Sequence, residues 1–258
     1  MKRILFLFFI FAQFASLDAQ EGSVICLHGF FRSYKCMIPM GNAFREEGYH
    51  VYLWDYPSRR ETIEGHAQDL VKIMQMIAKE RPGEPIHFVS HSMGGLIVRA
   101  AVSHPHCPPE GKMGKAILLA PPNQGASLAR KAKQLRGARF FFGKKAGEQL
   151  MNYSPEEMLA IGDFPSSMDV MVIAGTKHGP FLGKFFDEPN DGKVAVSETY
   201  LPTPHTHKVL PVAHNWIMTS RKTIQLSKEF LHQDQSQPNP QHGTFERVNT
   251  LHHHHMFE

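Results

Sequence analysis

Between Ile86 and Val102 the sequence runs from a short apolar strand into an apolar helix through Ser90-His91-Ser92-Met93-Gly94-Gly95. Ile86 to Val89 carries the β-branched and aromatic side chains of a buried strand. Leu96 to Val102 is apolar with helical character. A strand that turns straight into a helix forces Ser92 into a tight corner, and small neighbours at Ser90 and Gly94 let backbones pass closely. Such a corner exposes a hydroxyl and aims the unpaired N–H groups of a helix start, first that of Met93, at negative charge developing beside it. The usual pattern is G-x-S-x-G, from which this chain departs by having Ser90 in place of the first glycine.

On either side of this corner, strands alternate with helices. Ser23 to Leu27 is an apolar strand running into His28-Gly29-Phe30-Phe31-Arg32-Ser33. A helix is predicted over 37–47 with Gly48 as its stop, then a strand over 49–54. Leu70, Ile73, Met74 and Ile77 give the next helix one apolar face; His66 and Met76 in it are read as solvent or packing residues. Strands follow over 115–120, 169–174 and 208–212, with a short apolar alternation at Lys193–Val196. A closing helix is predicted from Trp216 to Leu231, with Ile217, Ile224 and Leu231 repeating along it. This alternation predicts an α/β fold with a mostly parallel central sheet of about six strands and helices on both faces. Its ligand site belongs at the carboxyl ends of the strands, where Phe30, Ser92 and Asn123 fall.

The segment over 126–165 interrupts the rhythm and is expected to be a short helical cap. Within 126–147 stand Arg130, Lys131, Lys133, Arg136, Arg139, Lys144 and Lys145, with no acid, around Phe140-Phe141-Phe142. Three readings of that stretch stand together: a lid that covers substrate, a surface for peripheral contact with anionic lipid, and a solvated helix whose phenylalanines cap the core.

At 258 residues, with 42% hydrophobic residues, the chain holds one core. A formal charge of +4 gives no argument for a nucleic-acid partner. Residues 1–19 start with Lys2-Arg3, run through a phenylalanine-rich apolar stretch and end on small residues, the pattern of a secretory signal peptide. Export to the periplasm or medium is therefore expected, with an uncleaved membrane anchor as the alternative. The folded domain is expected over 20–232. Residues 233–258, rich in Gln, Asn, Pro and His, read as a disordered tail. Cys26 is a core residue by its strand position, and Cys36 and Cys107 are free to pair in an oxidising compartment. No residue pattern asks for a metal or a cofactor.

An alcohol is a weak nucleophile at neutral pH and needs a base in contact, itself held in one tautomer by a third group. In the order serine, acid, histidine, the candidates are Ser92, Asp191 and His214, each in a loop after a predicted strand. Asp187 competes with Asp191 in the same loop. His205 and His207 compete with His214 but precede the final strand.

Taken together, H-G-F-F-R-S, G-Y-H-V-Y-L-W-D-Y-P-S-R, H-S-M-G-G, A-P-P-N-Q-G, F-F-F-G-K-K-A-G, N-D-G-K-V-A-V and V-L-P-V-A-H-N-W-I-M occur in one order from Val24 to about Leu231. In this the chain resembles the α/β-hydrolase superfamily, and within it the bacterial triacylglycerol esterase/lipase group, compact members that lack the first strands of the full fold. The resemblance implies hydrolysis of an acyl ester or lipid through an acyl-enzyme, with Ser92 as nucleophile, His214 as base and Asp191 orienting it. It also implies that the backbone N–H groups of Phe30 and Met93 form an oxyanion hole. A thioesterase, amidase or acyltransferase would use the same three residues, and a catalytically silent lipid-binding protein is the alternative of a different class.

Overall fold

The computed structural model describes residues 22–233 except 138, 139, 141 and 182. The expected leader, and the expected tail apart from Gln233, lie outside the described residues.

Six strands form one parallel sheet: β1 (Ser23–Leu27), β2 (His50–Trp54), β3 (Ile86–His91), β4 (Ala116–Leu119), β5 (Val170–Gly175) and β6 (Thr206–Leu210). Their order across the sheet is β2-β1-β3-β4-β5-β6. The chain steps from β1 outward to β2, then returns to the far side of β1 for β3. The order reverses between β1 and β3, and at such a switch point the loops after the two strands diverge and open a crevice.

Strand periodicity divides the core in two. Ile25, Leu27, Phe88, Leu118 and Val172 face one side, under α2 (Ile63–Glu80) and α3 (Met93–Ser103). Val24, Cys26, Val89, Ile117, Leu119 and Ile173 face the other, under α1 (Ile38–Glu46) and the closing helix. In α2, Thr62 caps the start by accepting the Gly65 N–H at 3.0 Å, and Ile63, Ala67, Leu70, Met74 and Ile77 are buried. His66 is buried too, its ring edge-on to Tyr56, while Met76 is exposed. In α3 every residue from Met93 to Val102 is buried, Arg99 among them in an otherwise apolar run.

Between β4 and β5, where a short helical cap is expected, lie the short helices α4 (Ser127–Ala132), α5 (Ala146–Asn152) and α6 (Pro155–Ala160). Ser154 starts α6 with a capping box, its Oγ accepting the Glu157 N–H while Glu157 accepts the Ser154 N–H.

Three expectations need correction. The last strand is Thr206–Leu210 rather than 208–212, because Pro211 has no N–H to continue the ladder and Val212 turns back to the Leu210 carbonyl at 2.8 Å. The closing helix α7 is Arg221–His232, starting after Ser220, whose extended backbone and Oγ cap the Thr223 N–H; Ile217 sits in a separate 3-10 turn. Cys36 and Cys107 are both free, because Cys36 packs against the α1 side of the sheet and Cys107 sits in the core on the α2 side.

Candidate active site

Among the described residues, three non-glycine residues have positive φ: Phe31 at 59°, Ser92 at 54° and Ala120 at 48°. Each follows the carboxyl end of a strand (β1, β3 or β4), so the unusual backbone gathers on one edge of the sheet. Ser92 forms the corner between β3 and α3, and its own N–H is held by the Leu119 carbonyl at 2.8 Å. Glycine is required beside it. A Cβ at Gly94 would lie 2.8 Å from the His28 carbonyl oxygen and 3.1 Å from Leu27 Cβ. Ser90, fully buried, pairs across from Leu27 and Leu118, with its Oγ 3.4 Å from the Ile117 carbonyl oxygen. The departure at position 90 is thus a small polar side chain tolerated inside the sheet.

Met93 is the first residue of α3, where N–H groups have no partner inside the helix. Opposite it, the loop after β1 makes a turn closed by the Arg32 N–H on the Gly29 carbonyl at 3.1 Å, with Phe30 inside it. His28 fixes this turn from below. Its Nδ1 bonds the Gly29 carbonyl at 2.9 Å, its Nε2 accepts the Tyr56 N–H at 3.3 Å, and its ring stacks on Tyr56 at 4.1 Å. Burial lowers the affinity of His28 for a proton, outweighing Asp55, 3.3 Å away, so the ring is a neutral Nδ1–H tautomer.

Asp191 and His214 meet after β5 and β6. His214 Nδ1 lies 2.7 Å from Asp191 Oδ2, and the His214 N–H donates to the Asp191 carbonyl at 3.1 Å. An ionised carboxylate only accepts, so Nδ1 carries the proton and Nε2 is left as the basic nitrogen. The other carboxylate oxygen accepts the N–H groups of Lys193 at 3.0 Å and Val194 at 2.8 Å. This tight turn passes over the end of β5, where a Cβ on Gly175 would stand 2.8 Å from Asp191 Cβ. Both members of the pair are buried. Asp187 is exposed. His207 is bonded to Thr199 Oγ1 at 2.8 Å and stacked on Tyr200, and His205 is bonded to the Thr203 carbonyl at 2.8 Å.

Phe30, Ser92 and His214 line a single cavity of about 440 Å³. Its walls are mainly apolar, with Leu128, Ala129 and Ala132 of α4 and Leu150 of α5 on the cap side. Phe142 of the cap stacks on Phe30 with ring centres 5.8 Å apart, which joins the cap to the loop after β1. Among the described residues, no group of three His, Cys, Asp or Glu side chains is placed to hold a metal ion.

The sequence alone assigns no role to two further residues, His91 and Arg99. His91 is fully buried, and burial first, then the charge of His214, holds its imidazole neutral. Its Nε2 donates to the His214 carbonyl at 3.0 Å, while its Nδ1 has no partner. Arg99, on α3, is also fully buried and donates to the carbonyls of Asn123, Met158, Leu159 and Gly162. A polar residue inside an apolar run was the available signal for both.

The family model described as serine aminopeptidase, S33, matches residues 18–153 of the chain. The chain belongs to that family. Solved structures agree on the α/β-hydrolase fold. The mature Bacillus licheniformis lipase BlEst2 superposes with a TM-score of 0.68 at 20% identity, over 83% of this chain and 93% of that one. The propeptide form of the same lipase aligns over 51% of its own length. A metagenomic carboxyl esterase, MGS0156, gives a TM-score of 0.59 at 19% identity over 77% and 66% of the two chains. The Pyrococcus furiosus esterase Pf2001 gives 0.55 at 18% identity over 82% of each. No curated protein sequence matches the chain. In this S33 family member the cavity lies at the carboxyl edge of the sheet, beside the β1–β3 switch point.

Proposed function

We propose that this chain is a serine hydrolase that cleaves carboxylic esters of lipid-like acyl groups, with Ser92, His214 and Asp191 as its catalytic triad. The observation that carries the reading is the strained backbone of Ser92 opening on the cavity that His214, already bonded to Asp191, also lines. In the first step Ser92 Oγ attacks the ester carbonyl carbon while His214 Nε2 takes its proton. The carbonyl oxygen becomes an oxyanion that accepts from the N–H groups of Phe30 and Met93, each such donor contributing about 3 kcal/mol to the transition state. His214 returns the proton to the departing alkoxide. Water, deprotonated by the same nitrogen, then hydrolyses the acyl-enzyme and restores Ser92.

The family includes serine aminopeptidases by its description, and amide cleavage would use the same three residues. An aminopeptidase must hold a free ammonium group next to the scissile bond. No Asp or Glu is among the described residues that line this cavity, whereas Arg32, Lys131 and Lys193 are. Three cations repel an ammonium group, and the apolar walls suit an acyl chain, so the ester reading is favoured.

The cap supports a further element of the reading, peripheral contact with an anionic lipid surface. Leu135 is 68% exposed and Phe140 is 90% exposed, among the basic residues of the same segment. Export through the leader at 1–19 is proposed on its sequence pattern. Vesicle co-sedimentation with and without anionic lipid tests the first, and the N-terminus of the protein recovered from culture medium tests the second.

The experiment for the catalytic reading is a series of p-nitrophenyl esters from short to long acyl chains, run with Ser92→Ala alongside. Hydrolysis abolished by the substitution, and rising with chain length, supports it. Hydrolysis that persists in Ser92→Ala refutes it.

A further inference from the structure

Arg32, Lys131 and Lys193 line the cavity with no Asp or Glu among the described lining residues, and they arrive from three separate parts of the fold. Arg32 ends the turn after β1 that carries Phe30, Lys193 stands in the turn that Asp191 closes, and Lys131 is on α4. All three line the cavity with Ser92 and His214. Lys131 donates to the Phe185 carbonyl at the rim. No salt bridge among the described residues engages Arg32 or Lys193, although the Asp191 carboxylate, bonded to His214, offsets part of the Lys193 charge. The two cations are half-buried and close enough to disfavour each other. Burial first, and then the charge of Arg32, pushes the Lys193 ammonium below its usual range. Both also bear on His91, beneath the serine.

Holding two cations without a direct ion-pair partner in a partly dry pocket is unfavourable unless something between them is negative. The apolar part of the same cavity rules out a small hydrophilic anion as the whole ligand. Resting on the hydrolase reading above, the geometry points to an ester substrate of mixed character, an apolar acyl chain joined to a group that carries an oxyanion close to the scissile bond. The acyl chain lies against the cap, and the oxyanion is held by Arg32 and Lys193 at the mouth. Phosphate and carboxylate share the recognising chemistry: Arg32 offers a planar fork to either, and Lys193 a point charge.

Two matched substrate pairs test this, each with the same decanoyl chain. One pair is decanoylglycerol and its phosphate; the other is the methyl ester of 4-decanoyloxybenzoate and the free benzoate. In each pair the measured quantity is the ratio of kcat/KM, anionic over neutral. The expected ratio is about tenfold or more in at least one pair, the scale of a pair of partly screened ionic contacts. It falls toward one as salt is raised through the range that screens contacts of this length. It also falls toward one in Arg32→Gln combined with Lys193→Gln. A preference in the phosphate pair alone names phosphate, and one in both pairs names charge; either supports the proposal. A ratio near one at low salt overturns it, and so does a high ratio that neither salt nor the double substitution lowers. The salt titration uses the unmodified protein, so the result does not depend on the double variant folding. Ester turnover that depends on Ser92 without any anion preference overturns this inference and leaves the hydrolase reading standing. Failure of all four substrates and of every p-nitrophenyl ester removes both.

Discussion

His91 donates its Nε2 proton to the backbone carbonyl of His214, 3.0 Å away, with the two rings 4.7 Å apart. The residue before the corner serine is therefore tied to the loop that carries the proposed base. His91→Leu leaves a buried carbonyl without a donor, at a cost of about 1–3 kcal/mol in stability. Because the bond holds the backbone of His214 in place, kcat is expected to fall by about tenfold or more, and by more than KM rises, although His91 also lines the cavity. His91→Gln, whose amide can donate to the same carbonyl, is expected to recover part of kcat. Steady-state kinetics on the three proteins checks this, and equal losses in kcat for Leu and Gln count against a positioning role.

Asp191→Asn keeps an oxygen for the N–H groups of Lys193 and Val194, so the turn is retained while the charge facing His214 is lost. The amide can also reverse the bond and favour the wrong imidazole tautomer. The expected loss in kcat is about 10⁴-fold with an unchanged circular dichroism spectrum. Asp187→Asn, at an exposed site, is the matched control and is expected to leave kcat within a factor of two or so.

Much of this arrangement was legible in the sequence because it depends on local order. The strand–serine–helix corner and the H-G turn are each carried by contiguous residues, and the order of serine, acid and histidine by the place of each just after a predicted strand. In the sequence Asp191 stands before a glycine in N-D-G-K-V, and the structure shows what that glycine does: Gly192 takes φ of 94°, which lets Lys193 and Val194 turn their N–H groups onto the carboxylate. Long-range partners were not legible. Nothing near position 91 in the chain says that its ring will meet the carbonyl of residue 214, and nothing near Arg99 says that a cap more than fifty residues later will supply its acceptors. The start of the closing helix was misplaced because an apolar repeat of sevens runs through Ile217, whereas the capping hydroxyl of Ser220 decides where the helix begins.

Arg99 fastens the cap to the corner helix. Its guanidinium, whose pKa burial brings down to about 10, stays charged at neutral pH and serves carbonyls at the end of α6 and at Gly162. Arg99→Met fills much of the space but abandons those acceptors. The urea midpoint is expected to drop by the equivalent of about 3 kcal/mol or more, with earlier proteolysis in 126–165 than elsewhere. A midpoint unchanged from the parent would mean that the cap is held by its apolar contacts alone.

Several histidines are buried as neutral rings, and acid should therefore unfold this protein early. His87 is the clearest case. Its Nδ1 accepts the Lys115 N–H at 3.0 Å, and burial, then the Lys115 charge, lowers its pKa to about 4. In the unfolded chain the same ring titrates near 6.5, so between those values the unfolded state binds more protons. Stability is full above pH 6.5 and declines as pH falls toward 4, by about 3 kcal/mol from this residue. Thermal melts from pH 7 to pH 4 are expected to show the fall, and His87→Gln to flatten it. An identical slope in the variant would assign the acid sensitivity to other groups.

The central claim is that Ser92 has a reactive hydroxyl because His214 can take its proton. A fluorophosphonate probe followed by peptide mass spectrometry tests this most directly. The expected result is a single adduct on Ser92, abolished in Ser92→Ala and slowed at least about a thousandfold in His214→Ala. Labelling at another serine, or labelling of Ser92 that proceeds at the parent rate without His214, would contradict it.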